Sequence, residues 1–227
     1  MRKVLISDCH GNFDALKECL INANVINEKG NRLTDAQNRS IVYSVGDLAN
    51  CCDEFDADYE CLSKVGSYQN AWIDYLIIGN HEIPYFDSTN IFNGFHFNFR
   101  VNEELKRIEN ENRLRPAALL GSCLITHAGW DKDTHPYITT PQEAYQALTE
   151  AHSREGWTHR FFSAIGHARG GRLKHGGILW EDFNAIRSPF PQIVGHTVGN
   201  TIRAKDNIIC IDTGGGKHGK PTAIVIS

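Results

Sequence analysis

Apolar residues run along the chain in short bursts, each closed by a polar corner. Behind several corners the apolar positions spread out to helical spacing. Residues 3–7 hold Val4, Leu5 and Ile6 in succession, the pattern of a short buried strand. Phe13, Leu16, Leu20 and Ile21 follow at helical intervals, with Asn12 placed to cap the helix start. The polar residues 27–39 read as loop. Strands are then predicted at 41–45, 73–78 and 122–126, ending at Gly46-Asp47, Gly79-Asn80-His81-Glu82 and His127-Ala128-Gly129. Helices are predicted at 53–65, 102–113 and 141–152, the last opened by Pro141. Residues 189–194 lead into Gly195-His196-Thr197, and strands at 207–212 and 222–227 flank a glycine-rich turn. Strands alternating with helical stretches predict an α/β architecture. No repeat or linker divides residues 1–227, which are expected to form one domain.

Composition removes several classes. No apolar run approaches the ~20 residues of a membrane span. Val4, Leu5 and Ile6 alone are too few for a secretory signal. A net charge of −4 argues against constitutive nucleic-acid binding through overall positive charge. The seven cysteines are odd in number and include no Cys-x-x-Cys pair, so reduced thiols in a cytoplasmic protein are expected. Cys19, Cys123 and Cys210 lie in apolar segments and are expected as small buried hydrophobes.

The eleven histidines matter through their positions. Five apolar strands stop at residues able to bind a metal: Asp8 and His10, Asp47, Asn80 and His81, His127, and His196. In open α/β sheets, ligands bind beyond the carboxyl ends of the strands. Glycine adjoins these corners at 11, 46, 79, 129 and 195, which suits sharp exits and close backbone approach. One such corner is an ordinary loop; five in series argue for a site. Carboxylate, amide oxygen and imidazole together suit Mn, Fe or Zn. Two such ions sharing a carboxylate form a clamp for in-line attack on phosphorus.

In order, Asp8-Cys9-His10-Gly11, Gly46-Asp47, Gly79-Asn80-His81-Glu82, His127-Ala128-Gly129 and Gly195-His196-Thr197 resemble the signature blocks of calcineurin-like metallophosphoesterases. The Gly-Asn-His-Glu form, the His-Thr pair and the closing Ile211-Asp212-Thr213-Gly214 look most like one branch. That branch holds the bacterial and phage serine/threonine phosphatases and the diadenosine tetraphosphate hydrolases. The resemblance implies a four-layer α/β/β/α sandwich with a dinuclear metal site at the strand C-terminal ends. It implies two divalent ions, Mn2+ foremost, with Fe or Zn as alternatives. Asp8 and His10 would hold the first ion, Asp47 would bridge, and Asn80, His127 and His196 would hold the second. It further implies attack on phosphorus by a metal-bridging hydroxide, with His81 as general acid.

The chain departs from that branch in the substrate clamp. Where the branch continues as Gly-Asp-x-x-Asp-Arg-Gly, this sequence has Gly46-Asp47-Leu48-Ala49-Asn50-Cys51-Cys52. Asn50 can orient the acid histidine and touch substrate, but brings no charge. Cys51 cannot grip phosphoryl oxygens as an arginine does. Ile78 replaces the arginine usual before Gly-Asn-His-Glu, and Trp180-Glu181-Asp182 stands where phage-type enzymes tend to place another. The Gly-rich basic stretch 166–175 is the candidate replacement, through Arg169, Arg172 and its backbone N–H groups. A solvated turn is the other reading of that stretch. Likewise the phenylalanines of 86–99, with Trp130, form either an aromatic wall for a nucleobase or part of the core.

The expected function is a metal-dependent phosphatase on phosphoprotein or small phosphorylated substrates. The alternative is a nucleotide or phosphodiester hydrolase, of dinucleoside polyphosphate or cyclic nucleotide type, and a lesser one is a non-catalytic protein-binding scaffold. A monoester carries about two charges and rewards arginines more than a diester does, so the missing arginines favour the first alternative. The nearest diesterases usually carry Gly-His-x-His, and the absence of a second histidine after Gly195-His196 favours the phosphatase.

Overall fold

The computed structural model describes residues 1–49, 55–66, 68, 71–92, 95–215 and 219–226. Strands β1 (Arg2–Ile6), β2 (Ser40–Ser44), β3 (Tyr75–Ile77) and β4 (Leu114–Arg115) lie parallel, in that order. The edge beside β1 is closed by an antiparallel strand, Ala223–Ile226. A second sheet is built from β5 (Ala118–Leu120), β6 (Cys123–Ile125), β7 (Gln192–Val194), β8 (Arg203–Lys205) and β9 (Ile208–Cys210), in the order β5-β6-β7-β9-β8. Its central strands β6, β7 and β9 are parallel, while β5 and β8 pair antiparallel at the edges. The last strand, Ala223–Ile226, is β10.

Alternation along the strands makes the layers. Leu5 points opposite to Val4 and Ile6 and packs with Val45 and Ile77 against Ile125, Ile193 and Ile211 of the second sheet. Val4, Ile6, Val42 and Leu76 pack outward, against the helices α1 (Phe13–Asn22), α2 (Phe55–Leu62) and α3 (Phe99–Asn110). On the far side Leu124 packs with Ala144 and Leu148 of α4 (Pro141–Glu155). The result is helix, sheet, sheet, helix, the four-layer sandwich expected from the sequence. Each of the fully buried Leu and Ile side chains contributes ~1.5–3 kcal/mol by leaving water.

Caps set the helix limits. Asn12 accepts from the Ala15 N–H at 3.2 Å, as the sequence pattern anticipates. Helix α3 begins three residues before the predicted position because Asn98 caps it, accepting from Arg100 and Val101. Thr140 and Glu143 form a capping box ahead of Pro141, and α4 runs on to Glu155, past the predicted end at 152. A short helix α5 (Arg160–Ser163) was not anticipated. Among the described residues no helix is long and apolar enough to cross a membrane.

Candidate metal centre

Six parallel strands, three from each sheet, deliver polar groups to one rim. β1 leads to Asp8 and His10, β2 to Asp47, and β3 to Asn80 and His81; β6 leads to His127, β7 to His196 and β9 to Asp212. The loops dock on one another through backbone: Cys9 and His10 donate to the Asp47 carbonyl at 3.0 and 2.8 Å, and Gly11 to that of Leu48 at 2.7 Å. His10, Asp47 and His196 all have left-handed backbone, with φ of 47°, 50° and 66°. Such conformations cost non-glycine residues energy and persist where the surroundings over-determine them.

Asp47 sits at the middle. Its Oδ2 lies 3.3 Å from His127 Nε2, 3.8 Å from His10 Nε2 and 3.9 Å from His81 Nε2, while its Oδ1 accepts from the His81 N–H at 2.9 Å. His127 Nε2 is also 2.9 Å from Asn80 Oδ1 and 3.1 Å from His196 Nδ1, and its Nδ1 is 2.9 Å from the Val45 carbonyl. The last contact is the kind that fixes the ring orientation of a metal-binding imidazole. Asp8 Oδ2 accepts from the His196 N–H at 2.9 Å. Close approach is required of two glycines: a Cβ on Gly79 would collide with Asp47 Oδ1, and one on Gly195 with Asp8 Oδ1.

The electrostatics are those of a site built for cations. Burial, then the neighbouring Asp212 carboxylate, raises Asp8 well above the usual carboxylate range. Burial opposes ionisation of Asp47, but His127 and His81 hold it well below that range. Burial would lower His127, yet Asp47 raises it to about 9. Burial and then His127 hold His196 well below the ordinary imidazole value. Asp8 Oδ1, Asp212 Oδ2 and His196 Nε2 are buried with no hydrogen-bond partner. Buried carboxylate and imidazole atoms left with open lone pairs fit a divalent ion. The residues present therefore suit the metals that the sequence implies.

The structure thus brings Asp8, His10, Asp47, Asn80, His81, His127 and His196 together. By distance His81 lies as near Asp47 as His10 does. Arg169 also reaches the rim: its Nη2 donates to Thr197 Oγ1 at 2.9 Å, beside His196, and lies 3.2 Å from Asp182 Oδ2. Arg172 is exposed on the following turn, away from these contacts. Asn50, with Cys51 and Cys52, falls outside the described residues. Trp130 is not a wall of the site, because it is buried against His135 and Phe161. The aromatic surface at the rim is instead Phe92, 4.6 Å from the His81 ring and 6.3 Å from Trp180. Asp212 was missed as a site residue, although it obeys the same strand-end rule after β9.

The sequence matches the family model described as calcineurin-like phosphoesterase over residues 1–200. The chain belongs to that family, whose members are metal-dependent hydrolases of phosphate esters. Among solved structures it is similar to a cold-active protein-tyrosine phosphatase from a psychrophilic Shewanella species, with TM-score 0.61 and 15% identity over 98% of this chain and 74% of that one. A putative diadenosine tetraphosphatase gives TM-score 0.54 and 16% identity over 99% and 89%. A protein serine/threonine phosphatase from Saccharomyces cerevisiae gives 0.50 and 15% over 93% and 67%. At these identities the likeness shows the fold. Among curated proteins, none matches the chain.

Proposed function

We propose that this chain is a dinuclear-metal phosphatase that hydrolyses phosphate monoesters on proteins or small molecules. One observation carries the reading: Asp47 Oδ2 lies within 3.3–3.9 Å of three imidazoles, at a buried rim where Asp8 and His196 hold unpartnered ligand atoms. Asp8 and His10 would hold one ion, Asp47 would bridge, and Asn80, His127 and His196 would hold the other, Mn2+ being our first choice. The ions, when bound, supply Lewis acidity and a water acidified to near neutral pH. His81, at the mouth between Asp47 and Phe92, donates a proton to the leaving oxygen. Arg169, anchored beside His196 through Thr197 Oγ1, takes the phosphoryl oxygens with its remaining guanidinium N–H groups. Asp182 holds that guanidinium in place before substrate arrives.

A second reading, hydrolysis of a nucleotide or diester, is supported by the Phe92 ring beside His81 and the Trp180 ring edge-on to Phe92. The described cysteines are unpaired, which agrees with a cytoplasmic location. The test is hydrolysis of para-nitrophenyl phosphate and of its bis-ester, in parallel, with Mn2+ and with Asp47→Asn as control. Faster cleavage of the monoester, abolished in the variant, supports the phosphatase; preference for the bis-ester selects the second reading. Metal binding without cleavage of either ester counts against both.

A further inference from the structure

Where β3 begins, at the end of that strand opposite the rim, the two sheets part around a cavity of about 320 Å³. Tyr43 and Tyr75 are register partners on β2 and β3, and their rings stack with centroids 5.1 Å apart. Arg115 ends β4 and lays its guanidinium 5.6 Å from the Tyr75 ring. Tyr145 closes the cavity from α4, and Ala117 and Leu119 supply apolar wall. All three tyrosines and Arg115 are half-buried. Among the described residues, their hydroxyls and the guanidinium make no hydrogen bond or ion pair. The neighbouring carboxylates are engaged elsewhere. Asp74 pairs with Arg32 at 3.1 Å and accepts from the Val42 N–H at 2.8 Å; Glu109 accepts from Trp157 Nε1 at 2.6 Å and faces His152 at 3.6 Å.

We propose that this cavity binds a small aromatic oxyanion, an aryl carboxylate or an aryl phosphate, at a site separate from the metal centre. A half-buried guanidinium with no carboxylate partner repels cations and offers planar N–H donors that match two oxygens of one anion. The phenols add O–H donors around it. Burial pushes the Tyr43 hydroxyl up, with Tyr75, Asp74 and Tyr145 in the same sense and Arg115 against, so it keeps its proton to donate. The aromatic body follows from the lining: tyrosine rings favour offset or edge-on contact with another ring. The size agrees, because small-molecule sites run from ~300 Å³ upward. A bare inorganic ion, little larger than the ~30 Å³ share of one water, would leave most of the space unfilled.

Such a ligand would touch β2, β3 and β4 of one sheet, β5 of the other, and α4. It would therefore join the two sheets where the core between them opens. The proposal does not rest on the phosphatase reading.

The test is calorimetric titration of benzoate and of phenylphosphonate, with benzamide as the neutral control. The full chain carries Asp47→Asn throughout, so that the rim is impaired and cannot stand in for the cavity. The expected result is binding of at least one anion, with benzamide weaker by ~10-fold or more, as for loss of a charge-assisted hydrogen bond. Adding Arg115→Gln should weaken the anion by a similar ~10-fold or more, and adding Tyr145→Phe by ~3–10-fold. Preference for benzoate identifies a carboxylate ligand, and preference for phenylphosphonate a phosphoryl one; either supports the site. No binding of either anion, benzamide as tight as the anions, or an affinity unmoved by Arg115→Gln overturns it. Should Arg115→Gln fail to fold, Tyr145→Phe decides, since it removes one hydroxyl and keeps the ring: an unchanged affinity refutes the site.

Discussion

The buried Glu82 accepts the Asp47 backbone N–H at 2.9 Å, so the loop that carries the central carboxylate is held by a carboxylate two residues beyond Asn80. The same Oε2 accepts from Gly79 at 2.9 Å, and Oε1 accepts from Ala49 at 3.0 Å. Three donors from two loops therefore converge on one side chain. This explains the Glu of Gly79-Asn80-His81-Glu82 in positional terms: it ties the β2 corner to the β3 corner.

Glu82→Gln leaves one oxygen for three donors and turns an amide NH2 toward at least one of them. A buried donor left unsatisfied costs ~1–3 kcal/mol. The variant is expected to lose about 2 kcal/mol of stability in urea unfolding and to bind Mn2+ more weakly. Unchanged stability and metal content would show that Glu82 does not position Asp47.

Gly79→Ala tests close approach without any backbone strain, since its Cβ would meet Asp47 Oδ1. Gly121→Ala is the converse control: φ is +65° there, and nothing lies within 4 Å of the added atom. The control should cost about 1 kcal/mol, the ordinary effect of a side chain at positive φ. Gly79→Ala should cost ~3 kcal/mol or more by overpacking and abolish metal retention on a desalting column. Equal effects of the two substitutions would contradict the geometry.

Much of the rim was legible because each ligand-type residue closes an apolar burst, and parallel strands put all such ends on one side. Asp212 escaped because residues 207–212 read as a single strand, whereas β9 stops at Cys210 and leaves Asp212 beyond its end. β4 and β5, two and three residues long, give no periodicity to read. Arg169 could be named from its glycine-rich setting, but its partners Thr197 and Asp182 come from distant positions that only folding brings together.

Arg169→Ala should raise KM for para-nitrophenyl phosphate ~10–100-fold, the equivalent of ~1.5–3 kcal/mol for a charge-assisted hydrogen bond. Arg169→Lys should recover part of this, because a point charge replaces a planar fork. Asp182→Asn loosens the carboxylate hold on that guanidinium, 3.2 Å away, so the same KM should rise, by less than in Arg169→Ala. A KM unaffected by Arg169→Ala would leave the clamp to another group.

The last expectation concerns acid. Burial, then the Arg160 charge and His159, lowers His135 to about 4, with Asp131 acting in the opposite sense. Its ring packs 4.7 Å from both Trp130 and Phe161, so the folded state favours the neutral form. An unfolded histidine titrates near 6.5. Between pH 6.5 and 4 the unfolded chain therefore binds more protons at this position, and stability falls as pH falls. The contribution is complete above about pH 6.5 and lost on descending toward 4. The ring borders an open cavity, so solvent screening reduces the effect to about 1 kcal/mol. His135→Phe keeps the aromatic packing and removes the titration. Urea unfolding at pH 7.5 and 5.0 should show wild type losing about 1 kcal/mol more than His135→Phe across that interval. Parallel losses in the two proteins would mean that His135 is no more reluctant to take a proton in the fold than out of it.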